Sequence, residues 1–294
     1  QFTSNTNKAT PHNEINGKNV AIEWVNWDNI APAGGINSSV HDMSKWLQLQ
    51  LNQGVWNSDT LFTASRAKEM WSVQTPQNVS AWSEKTFPGK SFSGYGLGWE
   101  LSNFRGRKIV AHGGGYDGMI SRTVLVPSEG IGIVILTNNI NFLPYALEYQ
   151  ILDELFGEKN GENYGKLFLE YKKQGAEDDL KSKEEEAKSR IVDTSPSLPL
   201  SDYAGTYTDE MYGDVEVRLI GDQLAFQFVP TSIFRGTLRH WHYDTFQLNW
   251  GTQMMLPSGK VQFGFGSDGK IKSMDIDVPN PDFDFTELKF KKVY

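Results

Sequence analysis

Ser121-Arg-Thr-Val-Leu-Val126, Pro127-Ser-Glu-Gly130 and Ile131-Gly-Ile-Val-Ile-Leu136 decide the fold of the first half of the chain. Two short runs rich in β-branched residues, joined by a turn of Pro, Ser and Gly, have the pattern of an antiparallel hairpin. Upstream, Tyr95-Gly-Leu-Gly-Trp-Glu-Leu101 and Lys108-Ile-Val-Ala-His112 read as further strands. Downstream, Pro144 opens a helix to about Phe156, stopped by Gly157. Proline suits a first helical turn because the N–H it lacks would be unpaired there anyway. Nearer the start, residues 1–30 are polar and irregular, and Pro32-Ala-Gly-Gly35 is a turn. Val40, Met43, Leu47 and Leu51 then recur at helical spacing, with Ser39 as N-cap and Gly54 just past the end. A second short helix spans Thr63 to about Trp71. The expected fold class of this part is α+β, helices packed on an antiparallel sheet.

Residues 158–200 change character: Glu177-Asp-Asp179 and Glu184-Glu-Glu186 alternate with lysines, and apolar anchors are few after Tyr171. This predicts a solvated, charged helical linker, closed by Ser195-Pro-Ser-Leu-Pro199. From 201 to 294 the chain is short alternating strands. Val215, Val217 and Leu219 are followed by the Gly221-Asp222 turn and then by Leu224, Phe226 and Phe228. Val261, Phe263 and Phe265, the Ser267-Asp-Gly269 turn, and Ile271, Met274 and Ile276 repeat the pattern. Such regular spacing predicts a small all-β barrel or sandwich.

Composition narrows the function classes. Lys and Arg total 28 against 36 for Asp and Glu, a net charge of −8, which repels phosphate backbones and argues against nucleic acid. No run approaches the roughly 18 apolar residues of a membrane span. Cysteine is absent, so disulfides, thiolate metal sites and cysteine nucleophiles are excluded. No charged segment followed by an apolar one opens the sequence, and its first residue is Gln1. The expectation is therefore a processed product or a piece of a longer protein.

The stretch richest in chemistry is Ala111-His112-Gly113-Gly114-Gly115-Tyr116-Asp117-Gly118. Glycines at a strand end let a ligand or another backbone approach closely, and their N–H groups can stabilise an oxyanion. An adjacent histidine suits proton transfer or a hydrogen bond to substrate. The plainer reading is a glycine-rich turn beside a structural histidine. A phosphate loop is excluded because no Gly-Lys-Ser/Thr follows. His240 and His242, with Asp244 nearby, would share a face of an unbroken strand. They are read as a polar barrel patch rather than a zinc site, for want of a further ligand. No metal or other cofactor is expected. Gly89-Lys-Ser-Phe-Ser-Gly94 has one residue too many for a nucleophile elbow, which also needs a following helix.

Taken in order, several of these pieces resemble the serine β-lactamase-like proteins, which include class C β-lactamases, penicillin-binding proteins, D-aminopeptidases and related esterases. Pro32 to Leu47 is similar to that family's Ala-Gly-Gly helix entry, and Tyr95-Gly-Leu-Gly-Trp99 to its "YGLGW" strand. His112-Gly113-Gly114 stands where its third active-site motif, Lys/His-Thr/x-Gly, belongs. Ile131–Asn138 resembles its "G.GVVVLTN" strand, ahead of the C-terminal helix. The resemblance covers residues 1 to about 157, and the tail is similar to a lipocalin-like domain often appended to such hydrolases.

The resemblance implies an acyl-enzyme hydrolase in which His112 faces substrate and Gly113 and Gly114 form a backbone edge. Gly115 would give an oxyanion-hole N–H, and Tyr116 would line the rim. It also implies an exported protein, periplasmic or secreted, of bacterial type. The departures weigh equally. The family's Ser-x-x-Lys and Tyr-x-Asn motifs belong upstream of the Ala-Gly-Gly turn, and residues 1–32 hold neither. The only Ser-x-x-Lys of the first part, Ser65-Arg-Ala-Lys68, falls in an ordinary helix, and Tyr-x-Asn occurs nowhere. His112 also replaces the usual cationic Lys, and Gly113 stands where Thr often does, which favours an esterase- or peptidase-like parent.

The expectation is thus a partial hydrolase domain (residues 1–157), inactive alone, whose main partner is its missing N-terminal half. Its substrate would be a small molecule or peptide. Half a fold should expose apolar surface, so oligomerisation or element swapping is expected. The competing reading is a non-catalytic module holding a peptide or small apolar ligand at the glycine edge or inside the barrel. A weaker one is a self-contained hydrolase pairing His112 with Ser121 or Asp117.

Overall fold

The computed structural model describes residues 5–15, 17–26, 28–87, 89–158, 161–251, 256–280 and 283–293, with Asn29 and Tyr116 in backbone only. The chain divides into two compact units, residues 1–176 and 177–294.

In the first unit, β1 (His12–Ile15) and β2 (Lys18–Ala21) form an antiparallel hairpin. Helix α1 (Ala31–Gly34) follows, then α2 (Val40–Leu51), whose N-cap Ser39 accepts from the Asp42 N–H as expected of a capping serine. A small hairpin of β3 (Val55–Trp56) and β4 (Asp59–Thr60) leads to α3 (Ala64–Met70), capped by Thr63. Next come β5 (Thr75–Gln77), α4 (Ala81–Thr86), β6 (Ser93–Tyr95), β7 (Glu100–Phe104), β8 (Arg107–Tyr116), β9 (Met119–Val126) and β10 (Ile131–Thr137). These strands make one six-stranded antiparallel sheet in the order β10-β9-β8-β7-β6-β5.

The hairpin read from Ser121–Leu136 is present, with Val126 opposite Ile131 and Ser121 opposite Leu136. Alternation along β8 sends its side chains to two cores. Ile109 and Ala111 pack with Val124, Ala146, Tyr149 and Leu152, the last three of these from α5 (Leu143–Leu155). Val110 faces the other way, among Leu47 of α2, Trp71, Trp99 and Leu125. The sheet is therefore covered by α5 on one face and α2 on the other.

The structure corrects several expectations, among them the turn at Pro32–Gly35, which is helix α1 with Gly35 as its C-cap. Residues 1–30 are not all irregular: the β1–β2 hairpin is tied to the body of the sheet by His12 N–H donating to the Gly118 carbonyl at 3.1 Å. Asn138 Nδ2 also donates to the Thr10 carbonyl, at 2.9 Å. Tyr95–Leu101 is two strands rather than one, because Gly96–Trp99 turns the chain back, with Gly96 N–H donating to the Trp99 carbonyl at 2.8 Å. The glycines after His112 are neither a turn nor a strand end. Strand β8 runs through them to Tyr116.

Helix α6 (Tyr164–Ser189) occupies most of the charged stretch. Its first turns are anchored, since Tyr164 and Phe168 are buried against Phe87 and Tyr149, and the Tyr164 hydroxyl donates to Asp153 Oδ2 at 3.1 Å. Among the described residues no helix is long and apolar enough to cross a membrane.

In the second unit, α7 (Leu200–Tyr203) precedes a closed barrel. Its strands are β11 (Gly205–Asp209), β12 (Gly213–Ile220), β13 (Gln223–Phe228), β14 (Arg235–His242), β15 (Thr245–Trp250), β16 (Gly259–Phe265), β17 (Ile271–Asp277) and β18 (Phe290–Val293). Strand β18 pairs back with β11, which closes the ring and leaves no free sheet edge. Tyr203, Tyr207, Phe226, Phe228, Phe246 and Phe263 are buried inside it and meet edge to face, for example Tyr203 on Phe263 at 5.0 Å and Phe226 on Phe228 at 5.3 Å. The interior is a packed core of rings.

His240 and His242 do not share an unbroken face, because the register shifts between them. His240 Nε2 bonds to the Tyr243 carbonyl. Asp244 is held by the Tyr203 hydroxyl and by Ser197, whose Oγ donates to it at 2.7 Å. Burial raises the Asp244 carboxyl's pKa, yet these donors outweigh burial and hold it below the ordinary aspartate value. A carboxylate so depressed stabilises the fold above the ordinary value and loses that contribution as pH falls through its own. Tyr203→Phe should therefore cost about 1.5–3 kcal/mol near neutral pH, the worth of a hydrogen bond to a charged group. In urea titrations of the barrel, the gap from the parent should persist above pH ~3.9 and close as acid is added.

Candidate functional site

Two ladders run along β8, and they end at different places. On one side β7 pairs with it only as far as Glu100 opposite Ala111. On the other side β9 continues to Met119 opposite Tyr116. Over residues 112–116, then, one edge of β8 has no strand partner among the described residues.

The side chains of β9 reveal which groups look out of that edge. Thr123 Oγ1 donates to the His112 carbonyl at 3.2 Å, and Ser121 Oγ to the Gly114 carbonyl at 3.4 Å. The backbone groups of His112 and Gly114 therefore point toward β9. Within a strand the N–H and C=O of one residue share a direction, and the next residue reverses it. Gly113 and Gly115 consequently present their N–H and C=O groups to the open edge.

His112 is the first residue beyond the last β7–β8 pair, and its side chain is exposed. Its ring is anchored by Tyr95, with Oη and Nε2 2.9 Å apart in a hydrogen bond. Tyr95 is a site residue that the sequence reading missed. It belongs to the "YGLGW" stretch, read there only as a strand marker. Ser121 bonds to the Gly114 carbonyl and not to His112. Burial raises the pKa of the Asp117 carboxyl. The hydrogen bond to the imidazole comes from Tyr95 and from neither Ser121 nor Asp117, so a self-contained arrangement around His112 is not assembled. Tyr116, expected at the rim, lies outside the described side chains. Ser65 and Lys68 fall in α3, with Ser65 Oγ bonded to Thr63 Oγ1.

Behind the glycines is a buried charge network. Arg122, opposite Gly113, donates through Nε to Glu148 at 2.6 Å and through Nη1 to Glu100 at 2.6 Å. Arg122 and Glu148 are almost fully buried, at 7% and 1% side-chain exposure, while Glu100 is near half exposed. Burial works against the guanidinium's charge, but Glu148 and Glu100 outweigh it and keep Arg122 protonated. The guanidinium also lies over the Tyr145 ring, 5.1 Å from its centre. A Cβ at residue 113 would meet the Tyr145 hydroxyl at 3.1 Å and Arg122 Nη1 at 3.5 Å. A side chain there would have to push the Tyr145 hydroxyl back by a few tenths of an ångström. Among the described residues no group of three or more His, Cys, Asp and Glu gathers to hold a metal.

The antiparallel sheet with its two covering helices and open glycine edge is followed in the chain by an eight-stranded closed barrel. The β-lactamase family model matches residues 3–151, half of the sequence, and the chain belongs to that family. Residues 189–292 match a domain of unknown function, DUF3471, which takes in the barrel. Unguisins hydrolase ungD of Aspergillus violaceofuscus is 28% identical over 67% of this chain and 37% of its own length. Unguisins hydrolase ungD' of Aspergillus campestris is 25% identical over 64% of this chain and 34% of its own. The chain thus spans about a third of the curated relatives it matches. Among solved structures, the octameric penicillin-binding protein homologue from Pyrococcus abyssi aligns with 99% of this chain and 55% of its own, at 17% identity and a TM-score of 0.44.

The glycine edge is open to a direct test. A Cβ at residue 114 would come within 2.5 Å of Ser121 Oγ, but only 3.8 Å from Ser121 Cβ. Gly114→Ala should be tolerated within about 1 kcal/mol, because the serine hydroxyl can turn aside and gives up only its bond to the Gly114 carbonyl. In a Ser121→Ala background that cost should vanish, and a double-mutant cycle on urea midpoints reads the coupling.

Proposed function

We propose that the first unit supplies one wall of an acyl-enzyme serine hydrolase site acting on an amide or ester. The observation that carries this reading is the outward-facing backbone of Gly113 and Gly115, on an open strand edge next to the exposed, anchored His112. In such a site the Gly115 N–H donates to the oxyanion that develops when a carbonyl is attacked, an interaction worth several kcal/mol in acyl transfer. The Gly113 and Gly115 carbonyls and N–H groups also offer an extended substrate a strand to pair with, as sheet edges do for peptides. His112 hydrogen-bonds substrate or moves a proton. The matched relatives are named as hydrolases, which agrees with this chemistry.

The nucleophile comes from elsewhere. No Ser-x-x-Lys precedes the Ala33-Gly34-Gly35 segment and no Tyr-x-Asn occurs in these 294 residues. We assign both to a further part of the hydrolase domain, consistent with a chain spanning about a third of its relatives. Ile30, Ile36, Val40 and Trp46, all exposed around α1 and α2, would then be surface that this part covers. A pure binding module finds less support, since the barrel interior is filled by its own aromatic rings.

Intact-mass spectrometry after incubation with a fluorophosphonate, and separately with a penicillin, tests the assignment. The expected result is no adduct with either. A stoichiometric adduct would mean that a serine within these residues is activated, and peptide mapping would name it.

A further inference from the structure

We infer that Tyr95 is a positioning residue for His112, fixing the tautomer and aim of the imidazole by donating its phenolic hydrogen to Nε2. The inference rests on the reading that His112 faces substrate, and names the group that makes it fit for that task.

An exposed histidine on an unpaired strand edge is ordinarily free to turn about both side-chain torsions and to exchange its proton between ring nitrogens. Here one ring nitrogen is engaged, 2.9 Å from Tyr95 Oη, with the two rings at a steep angle and 6.0 Å apart. Tyr95 is itself held firmly. Its backbone lies between Thr75 of β5 and Glu100 of β7, and its carbonyl accepts from the Gln74 N–H at 2.8 Å. The next residues turn back at once: Gly96 N–H donates to the Trp99 carbonyl at 2.8 Å and Leu97 N–H to the Met70 carbonyl at 3.0 Å. Residue 96 passes so near the end of α3 that a Cβ there would sit 2.1 Å from the Met70 carbonyl oxygen, so only glycine fits.

Because β7 begins at Glu100, no described residue of β7 pairs with His112, and the tyrosine reaches past β7 to the next strand but one. The "YGLGW" stretch thus does more than mark a strand: it fixes a phenol beside the glycine edge.

A neutral imidazole has one acceptor and one donor nitrogen, and a phenol can serve as partner to either. In the inferred arrangement the phenol donates, Nε2 accepts, and the ring's own hydrogen is left on Nδ1, where it can donate to a bound substrate. Orientation by a neighbouring hydrogen bond is how a site selects one histidine tautomer.

The test is nitrogen-15 NMR of selectively labelled histidine in the 294-residue chain, in mildly alkaline buffer. The expected spectrum assigns His112 to the Nδ1–H tautomer. In Tyr95→Phe, which keeps the ring and loses the hydroxyl, the proton should spread over both nitrogens, with the melting temperature little changed. An Nε2–H tautomer in the parent, or the same spectrum in parent and variant, would overturn the inference. If Tyr95→Phe does not fold, the parent spectrum alone still decides. The readout involves no turnover and no nucleophile, so its failure is distinct from an adduct in the mass experiment.

Discussion

The constraint on which the site depends is the unequal length of two hydrogen-bond ladders on one strand. Strand β8 stays paired with β9 through Tyr116, but loses β7 after Ala111. A β7 ladder extended as far as residue 115 would satisfy Gly113 and Gly115 and close the edge. A β9 ladder that stopped at His112 would leave the glycines as a loose loop. As it is, one side holds the backbone straight while the other offers aligned donors and acceptors. Unpaired edges are a liability in a sheet, and one kept open beside an exposed histidine is the kind of exception that function imposes.

The rest of the first unit serves to keep that edge rigid. The absence of side chains at 113–115 removes the packing that usually stiffens a strand, and glycine is entropically costly in that position. Stiffness comes instead from behind. Arg122 spans from Glu148 on α5 to Glu100 at the start of β7, under the point where the β7 ladder ends. A buried pair of this kind contributes little net stability by itself, but removing one partner is costly, because a charge is then stranded out of water. It also ties three elements together at the place where the sheet is weakest. The barrel, by contrast, has no open edge and is filled with rings, so it needs no such support.

The fold was largely legible in the sequence. The hairpin of Ser121–Leu136, the capped helix after Ser39 and the alternation from Val215 onward each have a local cause, and each is present. The misreadings came where local chemistry and distant pairing disagree. Three glycines read as a turn by propensity, yet β9 holds them extended by pairing along their whole length. The hairpin at His12–Ala21 has no apolar alternation and is fixed by bonds from His12 to Gly118 and from Asn138 to Thr10 just before it, both partners more than a hundred residues away. The His240–His242 pair was separated by a bulge that no residue pattern announces. His112 and the glycines stood out from composition alone. Tyr95 did not, because its partner lies beyond the next strand and the register had first to be known.

Amide hydrogen exchange of residues 108–116, followed by NMR, tests the unequal ladders most directly. Ladders of these lengths predict that residues 109–111 are protected throughout. From 112 on protection alternates, slow at His112 and Gly114, which bond to β9, and fast at Gly113 and Gly115, which face the open edge. Uniform protection would mean that the edge is covered. Fast exchange at His112 and Gly114, with Gly113 and Gly115 protected, would mean that the proposed oxyanion donor, Gly115, points into the sheet, and either result would contradict the proposed site.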